Sequence, residues 1–143
     1  MEQGVRSAHA TAEQFVASEL RRWEVAPENL VLIGFSQGTM MALHTALRRE
    51  VAPAGVIGYS GALPGPDRLK SEMTAKPPIL LIHGDSDDVL PVGMTFMAAQ
   101  GLADAGHGAQ FHISRGIPHS IGPDGLELGQ HFIDAALSGR LRG

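Results

Sequence analysis

Three short apolar runs, Leu30 to Ile33, Gly55 to Tyr59 and Pro78 to Ile82, and an alternating stretch, Ala109 to Ser114, punctuate this chain, and none is joined to the next by a tight hairpin turn. A two-residue turn can link only antiparallel neighbours, so connections of this length predict a parallel sheet with helices on both faces. Leu30-Val31-Leu32-Ile33 is continuously apolar, the pattern of a strand buried on both sides. The intervening segments supply the helices. Val5, Ala8, Ala12, Phe15, Val16, Leu20 and Trp23 recur every three or four residues and predict an amphipathic helix that Pro27 ends. Further helices are expected from about Gln37 to Arg49, over Val92 to Ala105 and over Leu126 to Leu137. Pro64 to Pro77, rich in Pro, Lys and Ser, reads as a surface excursion after the second strand.

Composition narrows the function classes. The chain has 143 residues, suited to one domain, with 43% hydrophobic and 18% charged residues, a balance that argues for a packed core rather than disorder. A net charge of -4 offers no clustered positive field for nucleic acid or an anionic membrane. With no cysteine there is no disulfide framework, thiolate metal site or cysteine nucleophile, which fits a cytoplasmic location. No apolar run approaches the roughly 20 residues of a membrane helix.

The chemistry centres on Gly34-Phe35-Ser36-Gln37-Gly38, set between the first strand and a helical run. A serine forced into a tight strand-to-helix turn takes a strained conformation costing about 1 to 3 kcal/mol, and Gly34 and Gly38 are expected to relieve crowding on either side. The helix then directs its free amides at the same place, so the Gln37 N–H is expected to meet a developing oxyanion. A glycine-rich turn with an incidental serine is the competing reading, and the strand before and helix after weigh against it. Gly58-Tyr59-Ser60-Gly61-Ala62 also sets a serine after a strand, but Ala stands in its fifth position and no long helix follows at once, so Ser60 reads as structural.

A serine hydroxyl is a weak nucleophile at neutral pH and needs a base and a group to orient that base. At a serine corner of this kind the acid and then the histidine follow in chain order. The third strand runs into His83-Gly84-Asp85-Ser86-Asp87-Asp88-Val89-Leu90-Pro91, where three aspartates compete, and the fourth into Gly116-Ile117-Pro118-His119-Ser120. Both loops fall at the C-terminal edge of the sheet, where open α/β sheets build their sites. His119 is the expected base. His9 and His44, in helices, and His107, in a Gly-rich turn, read as structural, whereas His83 and His112 are placed to support the site. There is no H-E-x-x-H and no calcium-loop pattern, so neither metal nor cofactor is expected.

These motifs resemble those of the phospholipase/carboxylesterase family, which includes acyl-protein thioesterases and small bacterial carboxylesterases. Residues 34–38 are similar to its GFSQG elbow, Tyr59-Ser60-Gly61 to the S-G after the next strand, residues 83–91 to its HGxxDxVVP loop, and residues 116–120 to its G-x-x-H-S ending. The resemblance implies an α/β fold of the three-layer α/β-hydrolase type with about four parallel strands and flanking helices. It implies that residues 1–143 form the C-terminal portion of a single such domain. It also selects Asp87, the fifth residue of the loop, over Asp85 and Asp88, completing a Ser36, Asp87, His119 triad. The implied function is serine carboxylesterase action on short-chain esters, with lysophospholipids or thioesters in the same class. Thr39 departs from the family, where glycine is usual, and is expected to crowd the first turn of the helix.

The family also has strands ahead of the Val5 to Trp23 helix and a His-Gly motif that supplies a second oxyanion donor, neither of which is seen here. Loss of one such donor is expected to cost about 2.7 to 4 kcal/mol of transition-state stabilisation. The Leu30 to Ile33 strand then becomes a sheet edge with unpaired backbone, which favours a homo-oligomer formed through that edge. A weakly active or silent interaction module is the alternative reading.

Overall fold

A computed structural model describes residues 1–141. The chain runs α1 (Glu2–Arg22), β1 (Val31–Phe35), α2 (Gln37–Leu47), β2 (Gly55–Tyr59), α3 (Pro66–Glu72), β3 (Ile79–Gly84), α4 (Gly93–Asp104), β4 (Gln110–Ser114) and α5 (Pro123–Leu137). The four strands lie in sequence order and pair in parallel throughout, as their long connections require. Their registers bring Phe35 beside Tyr59, Tyr59 beside Ile82, and His83 beside Ile113.

Period-two alternation in β2 and β3 divides the core into two layers. Val56, Ile79 and Leu81 meet Leu43 and Leu47 of α2, Leu69 of α3 and Leu102 of α4 on one face. Ile57, Tyr59, Leu80 and Ile82 meet Phe132 and Ala136 of α5 on the other. Every residue of β2 and β3 is buried, which is why both segments are apolar apart from His83 near the end of β3. Burial of the larger of these side chains contributes about 1.5 to 3 kcal/mol each.

Three expectations change. The Leu30 to Ile33 run is not buried on both faces: β1 lies at the sheet edge, the position the family resemblance implied for it, and Ile33 stays 54% exposed. Beside it, Phe15 of α1 and Trp23, which caps that helix, are both 64% exposed, and only Val5 and Val16 of the helix are buried. Pro27 does not end α1, which stops at Arg22 in a turn where Glu24 takes positive φ; Pro27 opens a separate 3-10 turn. The Pro64 to Pro77 segment is more than a surface excursion, because Pro66 starts α3 and fully buried Leu69 plugs it into the core. Arg6 of α1 and Arg48, which caps α2, both donate to Glu72 of α3, at 2.6 and 2.8 Å, and so lash three helices together.

Candidate active site

Ser36 occupies the corner between β1 and α2 with φ 55° and ψ -116°, a conformation that costs a side-chain-bearing residue free energy. Its N–H donates to the Tyr59 carbonyl (2.9 Å), and its own carbonyl accepts from Thr39 N–H (3.0 Å). The hydroxyl makes no capping bond to α2. Gly34 is demanded by close approach, since a Cβ there would strike the Gly38 carbonyl and the Thr39 amide. Gly38 is different: a Cβ on it would meet nothing within 4 Å, so the crowding expected on that side is not found. Gln37 is exposed at the first position of α2.

Thr39 does not crowd the turn to its detriment. It is 1% exposed, packs its methyl against Gly58, and donates its hydroxyl to the same Tyr59 carbonyl (2.7 Å) that holds the Ser36 amide. The hydroxyl thereby braces the corner against the end of β2, a role no local signal in the sequence announces.

The other two loops are fastened to each other before they meet Ser36. Asp85 N–H donates to Ser114 O (3.0 Å), Ser86 N–H to Ile117 O (3.1 Å), and Gly116 N–H to Asp85 Oδ1 (2.7 Å). The Ile117 carbonyl passes so close to Gly84 that no side chain fits there. Of the three competing aspartates, Asp85 and Asp88 are exposed and Asp87 is buried. Asp87 Oδ1 accepts from the amides of Val89 (2.9 Å) and Leu90 (2.8 Å), and Oδ2 lies 2.7 Å from His119 Nδ1. Burial is the strongest single influence on Asp87 and pushes its pKa up. The Leu90 amide, the His119 ring and the Val89 amide together outweigh it and hold the carboxyl below the usual range.

A carboxylate only accepts, so His119 Nδ1 carries the proton and Nε2 is left bare. The His119 ring sits 4.9 Å from that of Phe35, the residue next to Ser36. Ser60 also has positive φ (50°), but it is 1% exposed and its hydroxyl points to Ser120 O at 3.5 Å, which tethers the His119 loop. His112 pairs instead with Asp124 of α5. His83 is fully buried next to Asp87, with Thr95 behind it; sequence reasoning had flagged His83 and missed Thr95.

A cavity of about 620 Å³ opens beside the corner, lined by Val5, Gln37, Met40, Met41 and Leu90 with Met1 and Gly4. A hollow of about 500 Å³ around Pro53 and Pro77 lies where strands begin, the wrong end of a parallel sheet for chemistry. Among the described residues no group of three or more His, Asp or Glu is placed to hold a metal ion, and no helix is long and apolar enough to cross a membrane.

A parallel sheet in which one strand drives a serine into positive φ at the mouth of a helix is the signature of the α/β-hydrolases, and this chain has that fold. Within that class it belongs to the phospholipase/carboxylesterase family, whose model matches residues 1–137. It is 32% identical over 140 residues to acyl-protein thioesterase 1 of Saccharomyces cerevisiae, covering 94% of this chain and 61% of the relative. To acyl-protein thioesterase 1 homolog 1 of Dictyostelium discoideum it is 28% identical over 127 residues, or 87% and 56% of the two chains. Among solved structures, esterase PE8 superposes with a TM-score of 0.91 at 40% identity, over 95% of this chain and 63% of that one. The chain thus spans about three fifths of the length of these relatives.

Proposed function

We propose that this chain hydrolyses carboxylic esters, thioesters included, through a covalent acyl-enzyme on Ser36. The 2.7 Å contact that orients His119 on buried Asp87, next to the strained serine corner, carries the reading. Ser36 Oγ attacks the acyl carbonyl while its proton passes to His119 Nε2, and the oxyanion is met by the Gln37 N–H. Collapse of the adduct expels the alcohol or thiol, which takes the proton from His119. Water, deprotonated by the same ring, then releases the carboxylic acid and restores Ser36. Asp87 keeps the ring in the required tautomer and stabilises the imidazolium. The Met40, Met41 and Leu90 cavity supplies an apolar, adaptable wall for the acyl group. The relatives named as thioesterases and esterases support this substrate class. A cytoplasmic location goes with the reading, and cell fractionation tests it. Ser36→Ala is expected to abolish hydrolysis of a short-chain aryl ester and labelling by a fluorophosphonate; equal activity in that variant would falsify the assignment.

One observation favours a second reading, self-association. The outer edge of β1 pairs with no strand among the described residues, and it borders an apolar groove of about 530 Å³ lined by Phe15, Trp23, Leu32, Ile33 and Leu137. We infer that a second copy covers this edge in a twofold dimer, with or without hydrolysis by the chain. Sedimentation at micromolar concentration is expected to show the dimer, and a stable folded monomer rules it out.

A further inference from the structure

His83 is wholly enclosed at the end of β3, yet each of its ring nitrogens has a defined partner. Nε2 lies 2.8 Å from the Leu90 carbonyl and 3.2 Å from Asp87 Oδ2; Nδ1 lies 2.8 Å from the hydroxyl of Thr95, itself 3% exposed near the start of α4. A carbonyl and a carboxylate can only accept, so Nε2 bears the hydrogen and donates to Leu90. With Nε2 protonated, Nδ1 of the neutral ring is an acceptor and the Thr95 hydroxyl donates to it. The partners therefore assign the opposite tautomer from that of His119.

This ties His83 to Leu90, the residue whose amide Asp87 also holds. Leu90 gives its N–H to Asp87 Oδ1 at 2.8 Å and receives its carbonyl hydrogen bond from His83. The same N–H edge of His83 faces Oδ2, the oxygen that His119 uses. We propose that His83, held by Thr95, is a positioning residue for the triad, fixing the main chain at Leu90 and the Asp87 carboxylate in the orientation that His119 requires. The inference rests on the Ser36, Asp87, His119 reading above. Turning the ring, or losing the hydroxyl that fixes its tautomer, would free the loop from Asp87 to Leu90 without touching Ser36.

A satisfied core histidine with no part in the reaction would show itself in stability alone. The test therefore measures the rate at which a fluorophosphonate labels Ser36 across pH, on folded protein. His83→Leu is expected to slow labelling between about 10-fold and 100-fold, the scale of loss that misplacement of catalytic groups produces. It is also expected to move the acid limb of the profile to higher pH, because Asp87 Oδ2 loses a neighbouring N–H and holds the His119 proton more tightly. His83→Gln, which keeps a donor near the Nε2 position, and Thr95→Ser are expected to recover most of the rate, while Thr95→Val behaves like His83→Leu. Folded His83→Leu that labels at the unmodified rate with an unmoved profile overturns the proposal. If His83→Leu does not fold, equal rates and profiles in Thr95→Val and Thr95→Ser overturn it instead. Unmodified protein that never labels defeats the Ser36 reading itself, and this inference with it, before any variant is made.

Discussion

Two histidine–carboxylate pairs in this chain have the same length, 2.7 Å, and differ in nearly everything else. In the His119–Asp87 pair the side chains are 18% and 0% exposed, and two backbone amides hold the far carboxylate oxygen. In the His112–Asp124 pair they are 36% and 42% exposed, on β4 and the first turn of α5. Both carboxyls sit below their usual pKa. For Asp124 the His112 contact comes first among the causes, whereas for Asp87 the largest influence is burial, working in the opposite direction. A short contact is therefore no measure of function. What distinguishes the inner pair is that its carboxylate is shut off from water and its amide partners permit one geometry.

The sharpest way to break this comparison is to make the same change in both pairs. Asp87→Asn is expected to lower kcat by about four orders of magnitude, because the amide favours the wrong histidine tautomer, and Asp124→Asn to leave it within about twofold. Ester hydrolysis by the two purified variants decides it, and comparable losses would mean that exposure was irrelevant.

A third histidine sharpens the role of burial by having no bonded carboxylate. His44, 2% exposed between α1 and α2, has an unpartnered Nδ1 and is pushed down to about 4, by burial first and then by Arg48, His9 and Arg6. Its folded pKa lies below the unfolded one, so its contribution to stability is complete above about pH 6.5 and is lost as pH falls toward 4. The loss is on the order of 3 kcal/mol. Urea unfolding of wild type across that window should show the decline, and His44→Leu should flatten it; an unchanged slope in that variant would assign the decline to other groups.

Asp85 tests whether lashing the loops matters as much as the acid does. Its bond to the Gly116 amide positions the His119 loop from outside the proposed triad, so Asp85→Asn is expected to cost about tenfold in kcat/KM, far less than Asp87→Asn. The smallest effect belongs to the outer pair. A double-mutant cycle on His112 and Asp124 should give a coupling below about 1 kcal/mol that shrinks in high salt. A larger, salt-insensitive coupling would show that the exposed pair is not solvated as its accessibility implies.

Much of this architecture was legible in the residues because the signals are local. Continuous apolar runs without hairpin turns led to the parallel sheet, and a strand running into Gly34-Phe35-Ser36-Gln37-Gly38 and then a helix led to the corner that the structure contains. The failures share a cause. Pro64 to Pro77 looked like a surface excursion, since the seven-residue helix within it is too short to display its period. Leu30 to Ile33 looked buried because apolarity records what a strand tolerates, not what lies over it in this chain. Thr39 looked like a steric cost because its partners, Gly58 and the Tyr59 carbonyl, lie some twenty residues away.

By itself, then, the sequence determined the parallel sheet, the serine corner and the two loops at the C-terminal edge, all of which follow from short-range pattern and turn chemistry. The residue pattern left three aspartates open, and only a family resemblance chose among them. Tertiary structure decided that Asp87 is the one buried against His119, 32 residues further on, that His112 turns away to Asp124, and that Ser60 is sealed in while Ser36 is not. These are matters of accessibility and long-range hydrogen bonding, and both are set by which distant segments pack over a side chain rather than by its neighbours along the chain.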